Sequence, residues 1–183
     1  MLDTLIKNTE IISPEGRSRG SIGIRGEHIA GIYEPGAEPA ARETIAGDAL
    51  AALPGCIDMH SHHREGAGKG YEYKETILTA TTQCAAGGIT TSVGMPNVMP
   101  PPNSVERLKA QFALYEKSAV VDYNFNPAGT VLEEIPQLAK QGIAAFKIFM
   151  VVDTGRDYPH MPGIGVHDHG KIMAIMEACA AAN

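Results

Sequence analysis

Cysteine is scarce in this sequence, with three residues among 183, Cys56, Cys84 and Cys179. An odd number of thiols with no paired spacing is unlike a disulfide framework and is typical of the reducing cytosol. No apolar stretch approaches the roughly 20 residues that cross a bilayer, so we expect no membrane partner. The N-terminus has no basic stretch followed by an apolar core. We therefore expect no signal peptide and a cytoplasmic location.

Clustered positive charge is also lacking. Lys and Arg number 15 against 21 Asp and Glu, which gives a formal net charge of −6 at pH 7. Because proteins bind phosphate backbones through clustered Lys and Arg, we expect no nucleic-acid partner. Hydrophobic residues make up 44% and charged residues 20% of the chain. Those are ordinary values for a globular protein, and they exclude a disordered chain.

Residues 1–51 have the pattern of a small β domain. Apolar residues alternate at positions such as Ile22 and Ile24, as they do in half-buried strands. The segments Ser13-Pro14-Glu15-Gly16 and Gly26-Glu27 predict turns between such strands. We expect a small β-sandwich domain that carries no chemistry.

From residue 52 onward the pattern changes to strands that alternate with helices. Such alternation predicts parallel strands joined by right-handed crossovers, as in a doubly wound sheet or part of a (β/α)8 barrel. We expect about four β/α units. The predicted strands are 55–60, 89–95, 120–125 and 143–150, and the predicted helices are 72–86, 104–117, 131–141 and one from about residue 168.

The length of this second domain, 52–183, is short for a barrel. A complete (β/α)8 barrel usually needs about 250 residues, whereas 132 residues follow the β domain. An isolated half-barrel would leave two open strand edges, which favour aggregation. We therefore expect the chain to be incomplete, whether truncated, cleaved or one part of a split protein.

The strongest local signal is His60-Ser61-His62, directly after the first strand of this domain. Alternate strand residues point to the same face, so His60 and His62 are expected to lie side by side. Two imidazoles in that arrangement can chelate one divalent metal ion. Ligands also bind at the carboxyl ends of strands in barrels and open α/β sheets. His63 breaks the alternation and is expected to be solvated or to pack.

Lys147 is the second signal, because it lies inside the apolar run 144–152. A buried, unpaired ammonium is costly, so this amine must find a partner, lose its proton or be modified. A neutral amine can react with carbon dioxide to give a carbamate, whose two oxygens can bridge two metal ions. The alternative is a lysine at a strand end that reaches water or pairs with a carboxylate.

A long segment, 153–166, follows the Lys147 strand and, being longer than the usual strand-to-helix loop, is expected to cover the site. It brings three more histidines close in sequence, His160, His167 and His169. We interpret His167-Asp168-His169-Gly170 as the start of a helix capped by Asp168 rather than as metal ligands.

Three ordered motifs resemble those of cyclic amidohydrolases of the dihydroorotase, allantoinase and hydantoinase family. The first is 54–65, PGCIDMHSHHRE; the second is 85–91, AAGGITT, with MPN at 95–97; the third is 142–150, GIAAFKIFM. The resemblance covers essentially the whole chain but only the N-terminal part of such an enzyme. It implies the first half of an amidohydrolase-type (β/α)8 TIM barrel.

The resemblance also implies a reaction and its cofactors. The reaction would be hydrolysis of a C–N bond in a small cyclic amide or ureide. His60 and His62 would bind the more buried of two divalent metal ions, usually zinc, and Lys147, as a carbamate, would bridge the two ions. A hydroxide between the ions would be the nucleophile, and the metals would polarise the carbonyl.

Arg64 and Asn97 match the pair that holds the substrate's carboxylate in dihydroorotases, a task that suits a guanidinium fork and an amide donor. The resemblance therefore favours a carboxylate-bearing substrate, although allantoinase or hydantoinase specificity stays open. The alternatives are a surface ion pair for Arg64 and turn chemistry for Asn97. Gly66-Ala67-Gly68 and Val98 depart from the family pattern, where a proline and a threonine are common.

The rest of the family's site lies outside this sequence. Two further metal-binding histidines and the aspartate that shuttles the proton to the leaving nitrogen would follow on later strands, so no catalytic acid is assigned. We expect a homo-oligomer or pairing with a C-terminal portion. A non-catalytic, dihydroorotase-like subunit that needs such a partner is the alternative.

Overall fold

The computed structural model describes residues 1–68, 70–153 and 162–182. The chain forms two compact units, Met1–Pro54 and Gly55–Asn183. Within the described ranges, every helix is too short or too polar to cross a membrane.

The N-terminal unit is a single sheet of five strands. β1 pairs with β2 in antiparallel fashion and with β4 and β5 in parallel fashion, and β3 continues the sheet beyond β2. In the described residues this unit is therefore one layer instead of the expected sandwich, because all five strands belong to the same hydrogen-bonded sheet. The strands are β1 (Leu2–Ser13), β2 (Gly16–Arg25), β3 (His28–Tyr33), β4 (Ala41–Ala46) and β5 (Ala51–Ala52).

The C-terminal unit contains a parallel sheet of three strands in the order β6-β7-β8, with helices between them. Three of the predicted strands are confirmed, and the parallel pairing follows from the helical crossovers. The strands are β6 (Cys56–Ser61), β7 (Ile89–Gly94) and β8 (Asp122–Phe125); the helices are α1 (Ile77–Ala86), α2 (Val105–Ser118), α3 (Ile135–Ala139) and α4 (His169–Ala181).

Side-chain caps decide where the helices begin. The Thr76 side chain accepts a hydrogen bond from the Thr79 N–H, so α1 begins five residues later than predicted. Asp168 caps α4 as predicted, because its Oδ1 accepts from the Lys171 N–H at 2.7 Å. The predicted helix 131–141 is instead a 3₁₀ turn, Leu132–Glu134, followed by the short α3. Pro136 lies in the first turn of α3 and lacks the N–H that a longer helix would use.

The predicted fourth strand, 143–150, was wrong as a continuous element. In the described residues this segment makes two isolated bridges, Ala128 with Lys147 and Phe149 with Gly165. The reason lies in the Asn124 side chain of β8. Its amide nitrogen donates to the Gly142 carbonyl and its oxygen accepts from the Ala144 N–H, both at 3.0 Å. These bonds replace the backbone ladder at the start of the segment.

The main core of this unit lies where α1, α2 and α3 meet the sheet. Tyr115 of α2 and Phe125 of β8 are its largest fully buried side chains. The buried members of this cluster are Ile77, Val98, Leu108, Tyr115, Phe125 and Leu138. The core fixes the helices on one face of the sheet, so the polar residues after β6 and β7 are held at its carboxyl edge.

Candidate active site

His60 and His62 lie together at the carboxyl end of β6, as the strand alternation predicts. Their ring centroids are 5.2 Å apart and their planes are inclined at 55°. His60 is exposed and His62 is half-buried. Two imidazoles bound to one tetrahedral zinc ion through bonds of about 2 Å hold their ring centroids roughly 5 Å apart. The pair therefore fits a shared metal ion.

His62 is held in one tautomer by Asn97. The two side chains meet at 2.6 Å through His62 Nδ1 and Asn97 Oδ1, so the ring donates to the amide oxygen. Its Nε2 then carries a free lone pair, the form in which histidine binds metals. Asn97 is buried, with 6% of its surface exposed. Its side chain therefore faces the histidine pair rather than serving only the turn at Pro96.

The electrostatic surroundings also favour a neutral His62. Burial lowers the pKa of this imidazole, and the hydrogen bond that the ring donates to Asn97 opposes that shift. The positive charges of Arg64 and Lys147 lower the same pKa further. In the part of the chain that the structure describes, the ion pairs are Arg17–Glu10 and Arg42–Asp3, and neither includes Arg64.

Lys147 is half-buried rather than enclosed in an apolar strand. Its backbone N–H donates to the Pro127 carbonyl at 2.9 Å, and its carbonyl accepts from Gly129 at 3.2 Å. The side chain turns toward Phe149, with Nζ 5.1 Å from the centroid of that ring. The bridge with Ala128 therefore carries the amine to the same edge of the sheet as the end of β8.

The donor set fits part of a binuclear centre. Within residues 1–68, 70–153 and 162–182, there is no group of three or more His, Cys, Asp or Glu side chains that could hold a metal ion. His60 and His62 are the two candidate donors that the structure brings side by side, and a role for Lys147 as a third ligand stays a prediction. Of the three histidines that follow Lys147 in the sequence, His167 and His169 are exposed, and His160 lies outside the described residues.

His63 is a packing residue, one of the two roles expected for it. It is 3% exposed, and both ring nitrogens are bonded. Nδ1 lies 2.7 Å from the Tyr115 hydroxyl of α2, and Nε2 lies 2.9 Å from Ser92 Oγ of β7. Burial lowers the pKa of His63 to about 4 from an ordinary 6.5. The ring is therefore neutral at physiological pH.

We expect acid to destabilise the fold through His63. The unfolded chain takes up a proton near pH 6.5 and the folded chain only near pH 4, so the free energy of unfolding falls as the pH drops through that window. A difference of this size corresponds to about 3 kcal/mol. Urea unfolding of metal-free protein between pH 7 and pH 4 measures it.

The comparison is between two single variants. His63→Gln removes the titrating group, so its stability is expected to fall less steeply with acid than that of the wild type. His28→Gln removes an exposed histidine of β3 and is expected to keep the wild-type slope. Equal slopes for wild type and His63→Gln would refute this account.

Sequence reasoning missed Asn126, which directly follows β8. Its side chain is 6% exposed and its amide nitrogen donates to the Met59 carbonyl of β6 at 3.5 Å. Its buried Oδ1 has no hydrogen-bond partner among the described residues. A polar residue immediately after a parallel strand was the available signal, since such positions meet at one edge of the sheet.

Parallel β/α units with polar side chains at the carboxyl ends of the strands place this protein in the α/β class, which includes the doubly wound sheets and the (β/α)8 barrels. The profile described as "Amidohydrolase family" matches residues 51–180. The chain belongs to that family.

Individual relatives give the same result. The chain is 30% identical over 183 residues to a protein named allantoinase from Deinococcus radiodurans, covering 94% of this chain and 40% of the relative. It is 31% identical over 184 residues to a dihydroorotase from Enterococcus faecalis, covering 100% and 40%. Among solved structures, L-hydantoinase (dihydropyrimidinase) from Arthrobacter aurescens superposes with a TM-score of 0.84 at 22% identity, covering 100% of this chain and 39% of that one.

At 22% identity, the similarity to the hydantoinase structure shows the fold alone. That fold is the first part of an amidohydrolase (β/α) barrel, as predicted. The chain spans about 40% of the length of the curated relatives it matches.

Proposed function

We propose that this chain supplies the first metal-binding and substrate-binding residues of a cyclic amidohydrolase. The reaction is hydrolysis of a C–N bond in a small cyclic amide or ureide that bears a carboxylate, as in dihydroorotase. The observation that carries the proposal is the convergence at His62. The His62 ring lies with its centroid 5.2 Å from that of His60, and its Nδ1 is bonded to the buried Asn97 at 2.6 Å.

Each of these residues has a task that its chemistry suits. His60 and His62 would hold a divalent ion through neutral imidazoles, and Lys147, as a carbamate, would contribute oxygens to it and to a second ion. Bound metal ions supply polarisation of the scissile carbonyl and a lowered pKa for water. The Arg64 guanidinium and the Asn97 amide nitrogen would orient the substrate carboxylate by charge-assisted hydrogen bonds.

The first experiment is a substrate comparison. The chain, alone and combined with a C-terminal portion that supplies the remaining ligands, is loaded with zinc or cobalt and assayed on dihydroorotate, hydantoin and allantoin, and bound metal is counted. We expect the highest kcat/KM on dihydroorotate. A higher value on allantoin or hydantoin would reassign the substrate within the same reaction class.

We expect Arg64→Met to impair carboxylate substrates selectively. Losing a charge-assisted hydrogen bond costs about 1.5–3 kcal/mol, so kcat/KM for dihydroorotate should fall roughly 10- to 150-fold. Hydantoin, which has no carboxylate, should be little affected. Steady-state kinetics on the two substrates measure this difference.

The matched control is Arg107→Met, at an exposed arginine in the first turn of α2 whose guanidinium bonds Asn103. It should leave both substrates unchanged. An equal loss of kcat/KM on both substrates in Arg64→Met would refute the assignment of Arg64 to carboxylate recognition.

A second candidate function follows from the length of the match and from the incomplete donor set. The chain would then be a subunit or part of a protein that acts only as a homo-oligomer or with a C-terminal portion. It would bind no stoichiometric metal and hydrolyse nothing alone, and it would do both when combined with that portion. Measuring bound metal and hydrolytic activity before and after mixing the chain with that portion distinguishes the two candidate functions.

A further inference from the structure

The carboxyl half of β6 is not held by a regular ladder. Its pairing with β7 shifts register between Asp58 and Ser61, the stretch that contains His60. The His60 N–H donates instead to Asp58 Oδ1 at 2.9 Å. Side-chain hydrogen bonds therefore take over where the backbone pattern breaks, next to the histidine pair.

A continuous chain of side chains runs from α2 to this break. From the α2 end it contains Tyr115, His63, Ser92, Ser61 and Asp58, with contacts of 2.7, 2.9, 2.9 and 2.6 Å in that order. The first four members are buried. The chain thus links a core helix, through β7, to the strand that carries His60 and His62.

In this chain of hydrogen bonds, every donor points toward Asp58. A carboxylate only accepts, so Ser61 donates to Asp58, and Ser92 in turn donates to Ser61. Ser92 must then accept from His63 Nε2, which leaves Nδ1 to accept from the Tyr115 hydroxyl. Buried networks in which every contact is satisfied rigidify a structure, and aligned donors strengthen one another.

This direction of donation requires Tyr115 and His63 to be neutral and Asp58 to be ionised, and the surroundings of each group favour that state. Burial raises the pKa of the Tyr115 hydroxyl and lowers that of His63, so both are neutral. The hydrogen bond from Ser61, followed by that from the His60 N–H, lowers the pKa of Asp58, which is therefore ionised.

The backbone also leaves room for the α2 end of the chain. A Cβ at Gly94 of β7 would collide with the Tyr115 hydroxyl and would lie 2.7 Å from the Phe125 ring. Tyr115 is 1% exposed, so it has no space to withdraw into. The absence of a side chain at position 94 lets the hydroxyl reach His63.

We propose that Tyr115 and His63 are positioning residues that anchor the irregular end of β6 and thereby set the placement of His60 and His62. The proposal rests on the proposed function in one respect, namely that these two histidines bind metal. His63 lies between them and the helix layer. Its two hydrogen bonds transmit the rigidity of the core to a strand end that lacks a full ladder.

The test is Tyr115→Phe in the full chain, which removes one hydroxyl and keeps the ring. We expect the His60 amide to exchange about tenfold faster by NMR, because its anchor loosens. Cobalt(II) affinity, read from the visible spectrum, should fall by up to about tenfold, less than the roughly 10- to 100-fold cost of losing a group bonded directly to a metal ligand. Tyr123→Phe is the matched control, since its ring packs 5.0 Å from that of Tyr115. It should leave both readouts unchanged.

Ser92→Ala interrupts the same chain of hydrogen bonds at β7 and should reproduce the Tyr115→Phe result. It provides a second test of the proposal if Tyr115→Phe does not fold. The proposal is overturned if both breaking variants leave His60 exchange unchanged, or if Tyr123→Phe changes it as much. A wild-type chain that binds no cobalt, alone or with a C-terminal portion, would overturn the proposed function. The exchange of the His60 amide would then decide the positioning role by itself.

Discussion

Replacing His60 and His62 together by alanine is expected to abolish stoichiometric metal binding in the full-length context, with the C-terminal portion present. The two imidazoles are the nitrogen donors that this chain offers at the carboxyl end of β6, and their 5.2 Å separation suits one shared ion. With both removed, the site loses its two neighbouring imidazole donors. Metal content after dialysis and a cobalt(II) titration measure the loss.

The control for this variant is His167→Ala with His169→Ala. These two histidines are exposed at the start of α4, where the neighbouring Asp168 serves as the helix cap. They were the other candidates for ligands, and their removal should leave metal binding intact. Two metal ions retained per chain in the His60 and His62 variant would refute the ligand assignment.

The second large effect is expected at Lys147. If its carbamate bridges two metal ions, Lys147→Ala should lose nearly all hydrolytic activity, because alanine provides no oxygen ligand. A short-chain carboxylic acid such as acetate or propionate should restore part of it, since a carboxylate can occupy the place of the carbamate. Activity with increasing carboxylate concentration measures the rescue.

A direct readout does not depend on turnover. Wild-type protein equilibrated with metal and ¹³C-bicarbonate should show a carbamate signal by ¹³C NMR, and Lys147→Ala should lose it. Lys140→Ala, at an exposed lysine that ends α3, should keep both the signal and the activity. Undiminished activity of Lys147→Ala would count against a carbamate bridge.

Local patterns in the sequence predicted much of the C-terminal unit correctly. The residues that determine β6, β7, β8 and the Asp168 cap lie only a few positions apart. A short stretch of sequence was therefore sufficient to predict these elements. The continuous strand 143–150 was wrong because the Asn124 side chain, 20 positions away from Ala144, captures the backbone groups that would have paired.

The same distinction applies to the site. His-x-His after a strand was sufficient to place two imidazoles on one side. No local pattern indicated that His63 would contact Tyr115, 52 positions away, because the position of a single histidine does not reveal its partner. Asn97 was singled out through family resemblance, whereas its bond to His62 appears only when the chain folds.

The order of strands and helices, the paired imidazoles and the acidic, cysteine-poor composition were thus determined by the sequence itself, since each depends on neighbouring residues or on simple totals. The tautomer of His62, the burial of His63 and the half-buried environment of Lys147 were decided by tertiary structure. Protonation and burial depend on which distant groups surround a side chain. Those surroundings exist only after β6, β7 and α2 have packed together.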